Sequence, residues 1–211
     1  MEKLTLLSSE EFLTKLASAA PVPGGGGAAA LAGALAAALS SMVANLTIGK
    51  EKFAAQEQEV KKLLGEAEAV RSELLALVAQ DAAVFGSFMD CYKLPKGTAE
   101  EKAARSAAIC AAAKGAANVP LNIGRACLKV LALADRLVVI GNPGVVTDGA
   151  VSALLARAAL RSAIYNVQIN LPLTKDEEYA AATKAEMAVM EAKALTLENS
   201  ALVTTNKLMG L

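Results

Sequence analysis

From Leu16 to Gly49 the chain carries no charged residue, and inside that stretch Pro21-Val-Pro-Gly-Gly-Gly-Gly27 leads directly into a run of Ala and Leu. The prolines fix their own φ and cannot continue a helix, while consecutive glycines permit close approaches that a Cβ would forbid. A tight turn is therefore expected, with Pro23, Gly24, Gly25, Gly26 and Gly27 at its centre. Beyond it, Ala28 to Gly49 holds no proline and few β-branched residues, which predicts a helix. Without a charged face, that helix is expected to be central and buried on nearly all sides. A membrane span is the rival reading, since about 20 apolar residues suffice. Reliance on Ala rather than Leu, Ile or Phe, together with Ser40, Ser41 and Asn45, argues against it. The unpaired N–H groups of the helix's first turn suit an anion or a polarised carbonyl, with a purely structural turn as the alternative.

The rest of the chain reads as further helices. Ser8 and Glu11 have capping-box spacing and start a short helix that ends before Pro21. A long helical stretch is expected from about Phe53 to Tyr92, with Gly65 as a candidate break. Lys93 to Thr98 is a loop, and Thr98 with Glu101 caps the next helix, expected to reach about Ala117. Pro120 would open another, running to about Val139. After the turn-rich Gly141 to Asp148, Thr147 or Asp148 would cap a helix from about Gly149 to Asn170. Thr174 with Glu177 would cap the last. Leu137 to Ile140 is the one strand-like run, and it is short. The expected architecture is all-α, a bundle-like single domain over residues 1–211 with about seven helices.

Composition removes several function classes. Acidic and basic residues balance at 21 each with no basic run, so the electrostatic footprint of a nucleic-acid binder is missing. Cys91, Cys110 and Cys127 are too widely spaced for a CxxC pattern and fit reduced thiols. The absence of histidine excludes Ser-His-Asp and Cys-His catalysis and argues against a zinc site. Any general acid or base must then be a carboxylate, Lys, Tyr or Cys. Met1 to Ser9 lacks the pattern of a signal peptide, so a cytoplasmic protein with no membrane partner is expected. With 55% apolar residues, the chain is expected to hide its surplus apolar surface in a homodimer.

Asp81 is the pointed candidate. It lies mid-helix among Leu77, Val78, Val84, Phe85 and Phe88, at spacings that turn it to the inward, apolar face, where burial raises a carboxyl pKa. A buried acceptor is the structural reading; a functional carboxylate is the other. The glycine run superficially fits GxGxxG, but no strand precedes it as a dinucleotide fold requires. Asp148 is explicable as a cap, and Asn45, Asn142, Asn166 and Asn170 could satisfy backbone groups or a polar heterocycle equally well. Lys50 and Lys96 flank helix ends, where solvation is the default reading.

Taken together, Pro21-Val-Pro-Gly-Gly-Gly26, Met42-Val-Ala-Asn-Leu-Thr47 with Gly49-Lys50, Asp81 with Phe85, Leu94-Pro-Lys96, Val119-Pro-Leu121, Gly141-Asn142, Thr147-Asp148 and Asn166 to Leu171 resemble a known family. It is the formiminotetrahydrofolate cyclodeaminase and methenyltetrahydrofolate cyclohydrolase family. The chain departs from it at Gly27 and Thr147, where the family commonly has Ser. The resemblance implies an all-α homodimer acting on a one-carbon unit of tetrahydrofolate, its substrate, with no tightly bound cofactor and no metal. It also implies that Asp81 moves the proton, that the turn from Pro23 to Gly27 supplies N–H donors, and that Asn45, Asn142 and Asp148 read the pterin. Lys50 and Lys96 would then meet the anionic glutamate tail. Cyclohydrolase action is expected first, cyclodeaminase action second, and a non-catalytic folate-binding or scaffold protein is the alternative outside enzymes.

Overall fold

The computed structural model describes residues 4–211. Met1 to Lys3, part of the leader expectation, lie outside the described residues. Six α-helices follow one another with no strand among the described residues: α1 Ser9–Leu16, α2 Gly25–Asn45, α3 Glu57–Cys91, α4 Ala99–Ile140, α5 Val146–Asn170 and α6 Glu177–Met209. Short 3-10 turns at Glu51–Gln56, Pro143–Val145 and Leu171–Thr174 join them. The capping boxes of Ser8 with Glu11 and Thr98 with Glu101 form as expected, each satisfying two otherwise unpaired donors.

Several boundaries differ from expectation for identifiable reasons. Gly65 does not break α3; nothing lies within 4 Å of where its Cβ would be, and the helix simply runs through it. Pro120 does not break α4 either. A proline deprives the carbonyl four residues back of its donor. Here that carbonyl, Ala116 O, instead accepts from the Asn170 amide of α5 at 3.1 Å. Neither Thr147 nor Asp148 is a cap, because α5 already begins at Val146, which puts Asp148 in the first turn. Capping passes to Asn142, which accepts from the Gly144 N–H at 3.0 Å and opens the 3-10 turn. At α6 the cap is Asp176, accepting from the Tyr179 N–H, while Thr174 Oγ1 accepts from the Asp176 N–H. Leu137 to Ile140 is the last turn of α4, not a strand.

Helix α2 packs on α3, α4 and α5, and small residues let the axes come close. A Cβ on Gly33 would lie 2.7 Å from Cys127 Sγ and 3.1 Å from Leu74, so only glycine fits there. Ser152 donates to Ala36 O at 2.7 Å, which leaves Ser40 as the donor in its 2.9 Å bond to Ser152 and pins α2 to α5. α2 passes the length and hydropathy test for a membrane span, as does the stretch Glu51–Cys91. Packing explains much of α2's composition. It is not buried on all sides, however: Leu35, Ala38, Met42 and Leu46 remain exposed along one uncharged stripe.

Candidate functional site

The turn at Pro21 to Gly24, which contains a cis Val22–Pro23 bond, delivers the chain into α2 one turn earlier than its alanines suggest. Gly25, Gly26 and Gly27 are themselves the first helical turn. Gly24 at the N-cap has no side chain to occupy their N–H groups, so the positive end of the α2 dipole stays open. Asp81 arrives from the middle of α3 and seats its carboxyl directly on Gly26. A Cβ there would lie 2.6 Å from Asp81 Cγ and 2.8 Å from Oδ2.

The two helices act on the carboxyl in opposite senses. Burial pushes the Asp81 pKa up, and the Gly27 N–H pulls it down; burial wins, and the value lies above the usual carboxylate range. Beside it opens a pocket of ≈ 290 Å³. Phe85 and Phe88 of α3, Val119 and Pro120 of α4, and Ile169 of α5 make its apolar walls, and Asn166 and Asn170 add amides. Asn166 lies 3.5 Å from the Cβ position of Gly25 and donates from Nδ2 to Ser162 O, which leaves its Oδ1 as an acceptor toward the turn. The buried Cys127 thiol is pushed up to about 12 by desolvation and takes no part as a base. Among the described residues no group of three or more His, Cys, Asp and Glu could hold a metal ion.

The structure thus brings together Asp81, Gly24, Gly25 and Gly26 around the pocket, with Pro23 and Gly27 buried just behind. It does not bring the other expected residues there. Asn45 is the last residue of α2, and 21 residues of helix at ~1.5 Å each separate the two ends by ~30 Å. Asn142 belongs to that far end, its N–H donating to Thr47 Oγ1 at 2.9 Å and its Nδ2 to Leu46 O at 3.1 Å. Lys50 and Asp148 flank the same region in sequence, and Lys96 sits exposed in the α3–α4 loop. Within one chain, none of Asn45, Lys50, Lys96, Asn142 and Asp148 lines the pocket. The residues that sequence reasoning left ambiguous, Asn166 and Asn170, do line it; their i, i+4 spacing on α5 was the available signal.

Beyond Leu173, which it shares with the pocket, a groove of Lys102, Arg105, Ser106, Ile109, Cys110, Pro172 and Lys175 continues along α4. It contains three cations and no carboxylate. Arg105 donates to Tyr92 O at 3.2 Å and lies over the Tyr92 ring, yet its buried Nε has no partner. Lys175 donates to Ser106 Oγ at 3.0 Å from a left-handed backbone, φ 51°.

Residues 8–189 match the family model described as formiminotransferase-cyclodeaminase. The chain is 46% identical over 185 residues to a methenyltetrahydrofolate cyclohydrolase of Methylorubrum extorquens, covering 88% of this chain and 89% of that one. It is 30% identical over 189 residues to a formimidoyltransferase-cyclodeaminase of Rattus norvegicus, covering 90% of this chain and 35% of the longer protein. The chain therefore spans about a third of such bifunctional relatives. The crystal structure of a formiminotetrahydrofolate cyclodeaminase from Thermotoga maritima superposes with a TM-score of 0.87 at 28% identity, covering 97% of this chain and 98% of that one.

Proposed function

The chain belongs to the formiminotransferase-cyclodeaminase family, and from that premise we propose that it is a folate one-carbon enzyme that hydrolyses 5,10-methenyltetrahydrofolate to 10-formyltetrahydrofolate. The observation that carries the chemistry is the Asp81 carboxyl, desolvated beside a pocket whose other polar groups are amides and helix N–H donors. The cyclohydrolase of Methylorubrum extorquens, matched over nearly its whole length, supports the choice of reaction.

In this reading Phe85 and Phe88 pack the flat pterin and Asn166 and Asn170 meet its polar edge. Water adds to the methenyl carbon between N5 and N10, and Asp81 takes one of its protons as the tetrahedral carbon forms. The C–N5 bond then breaks as Asp81 returns that proton to N5. The second proton of the water leaves to solvent as the formyl C=O forms on N10. A carboxyl held above its ordinary range has the added basicity this exchange needs. The groove of Lys102, Arg105 and Lys175 takes the glutamate tail, the role first expected of Lys50 and Lys96.

The second reading is cyclodeamination, in which N10 attacks a formimino carbon on N5 and ammonia leaves. It rests on the structural likeness to the Thermotoga maritima cyclodeaminase and uses the same tetrahedral carbon. Following the near-ultraviolet absorbance of methenyltetrahydrofolate decides the matter. Its loss above the buffer rate is expected; its formation from formiminotetrahydrofolate identifies the deaminase, and binding with neither change leaves a non-catalytic folate-binding protein. The reading further takes residues 1–211 as one cytoplasmic unit, homodimeric, with folate as substrate and no tightly bound cofactor.

A further inference from the structure

The two amides of the pocket differ in what they have left to offer, and a proline sets the difference. Asn170 spends both hydrogens of its Nδ2, one on Ala116 O of α4 at 3.1 Å and one on Asn166 O of its own helix at 2.8 Å. A carbonyl oxygen only accepts, so these partners fix which end of the amide faces them, and Asn170 Oδ1 is left over. Asn166 spends one hydrogen of its Nδ2 on Ser162 O at 2.8 Å and keeps the other, together with its oxygen. Its Nδ2 and Oδ1 both lie 3.5 Å from the Cβ position of Gly25, against the glycine turn. Among the described residues neither amide oxygen receives a hydrogen bond, and both side chains line the pocket.

The Ala116 carbonyl is free for Asn170 because residue 120 is a proline inside α4. In an unbroken helix that carbonyl accepts from the N–H of residue 120, and the Asn170 amide, with one partner fewer, could turn either end outward. Pro120 removes the competing donor, and its ring crowds the carbonyl off the axis of its own helix. A proline at this place weakens α4, yet Pro120 and Ala116 both line the pocket, so the defect lies where the orientation of the amide is used.

Along the pocket these atoms run in one order. Asn166 stands beside the turn where Asp81 sits on Gly26, and Asn170 stands one turn further along α5, ~6 Å away. From Asp81 outward the wall therefore offers a donor and an acceptor from Asn166, then an acceptor alone from Asn170. The pyrimidine edge of a 2-amino-4-oxopteridine presents the complement in the same order, starting from the N5 side that carries the one-carbon unit. Its 4-oxo group accepts, its N3–H donates, and its 2-amino group donates. Resting on the folate reading for the ring that enters, we infer that Asn170 is a specificity-determining residue whose oxygen accepts from the 2-amino group, and that Pro120 is a positioning residue that holds this amide as an acceptor only. A ring without a donor at position 2 leaves the Asn170 oxygen unpaired.

Calorimetric binding of tetrahydrofolate and of its 2-desamino-2-methyl analogue, in which a methyl group of similar size offers no donor, measures this contact without turnover. The wild-type chain should bind tetrahydrofolate roughly tenfold to a hundredfold more tightly, the effect of leaving one polar atom unpaired. Pro120→Ala gives Ala116 O a backbone donor again, frees the amide to turn, and should cut that ratio severalfold. Its lost ring contact weakens both ligands alike, so the ratio alone reports the orientation of the amide. Asn170→Ala by itself strands the Ala116 carbonyl and risks unfolding. The double variant Pro120→Ala with Asn170→Ala satisfies that carbonyl from the backbone, and should fold and bind both ligands equally. A wild-type ratio near one, or a double variant that still discriminates, overturns the role of Asn170; an undiminished ratio in Pro120→Ala overturns that of Pro120. Turnover of methenyltetrahydrofolate and formiminotetrahydrofolate on the same preparations keeps the two readings apart. Turnover without discrimination leaves the enzyme and removes the role of the amide, discrimination without turnover leaves the recognition and removes the reaction, and a chain that binds neither ligand loses both.

Discussion

Substituting Gly26 by alanine tests the site at its tightest point. The added Cβ would collide with Asp81 Oδ1 and lie 2.6 Å from Cγ and 2.8 Å from Oδ2, against an ordinary contact of about 3.5 Å, so the carboxyl must retreat by at least roughly 1 Å. Misplacing a reacting group by that much costs about a hundredfold in rate. Stability responds differently, because overpacking costs about 1–3 kcal/mol while replacing a helical glycine returns about 0.5–1 kcal/mol. The net loss of about 1 kcal/mol corresponds to a thermal midpoint ~2–4 °C lower. Gly27→Ala is the matched control, since its nearest neighbours would be Pro23 Cβ at 3.6 Å and Asp81 Oδ2 at 3.8 Å, both ordinary contacts. Turnover of methenyltetrahydrofolate and thermal unfolding are measured on the same preparations. Gly26→Ala should lose about two orders of magnitude in kcat with a small change in midpoint, and Gly27→Ala should keep most of its activity. A folded Gly26→Ala enzyme with wild-type turnover would refute the placement of Asp81 as the proton carrier.

Asp81→Asn should lower kcat by about a hundredfold to ten-thousandfold, since the amide cannot take up a proton. Because burial raises the Asp81 pKa, its protonated form is favoured in the fold: full stability is present below the ordinary value of 3.8 and is lost as pH rises through the raised one. The permanently neutral Asn variant should therefore melt above the wild type near neutral pH, with the gap closing in acid, and a gap independent of pH would contradict this. Lys102→Glu with Lys175→Glu should raise KM for a triglutamyl substrate by about tenfold and leave the monoglutamate unchanged, as two weak ionic contacts together allow. Equal KM changes for both substrates would move the tail elsewhere. Asn170→Leu leaves the Ala116 carbonyl without its donor and should cost about 1–3 kcal/mol in urea unfolding. Pro120→Ala restores a backbone donor and should recover much of that loss; strict additivity of the two changes would show that the amide does not serve this carbonyl.

Local chemistry alone was enough to read two helix starts and the inward side of Asp81. Capping boxes at Ser8 and Thr98 are short-range devices whose partners lie three residues away, so spacing reveals them. The inward face of Asp81 follows from helical periodicity in the same way. What tertiary structure decided was how distant groups compensate for a local defect. Pro120 reads as a helix start until the Asn170 amide, 54 residues away in sequence, takes the carbonyl it abandons. Thr174 has capping-box spacing with Glu177, but Asp176 lies closer to the helix start and takes the cap. The site divided along the same line: the glycine turn and Asp81 meet because α2 and α3 pack closely, a contact between helices that the pattern within either one does not specify. Asn45 and Asn142 are as legible as residues, yet a helix of ~30 Å holds them away from the pocket of their own chain, because helical rise is a fixed length that composition does not alter.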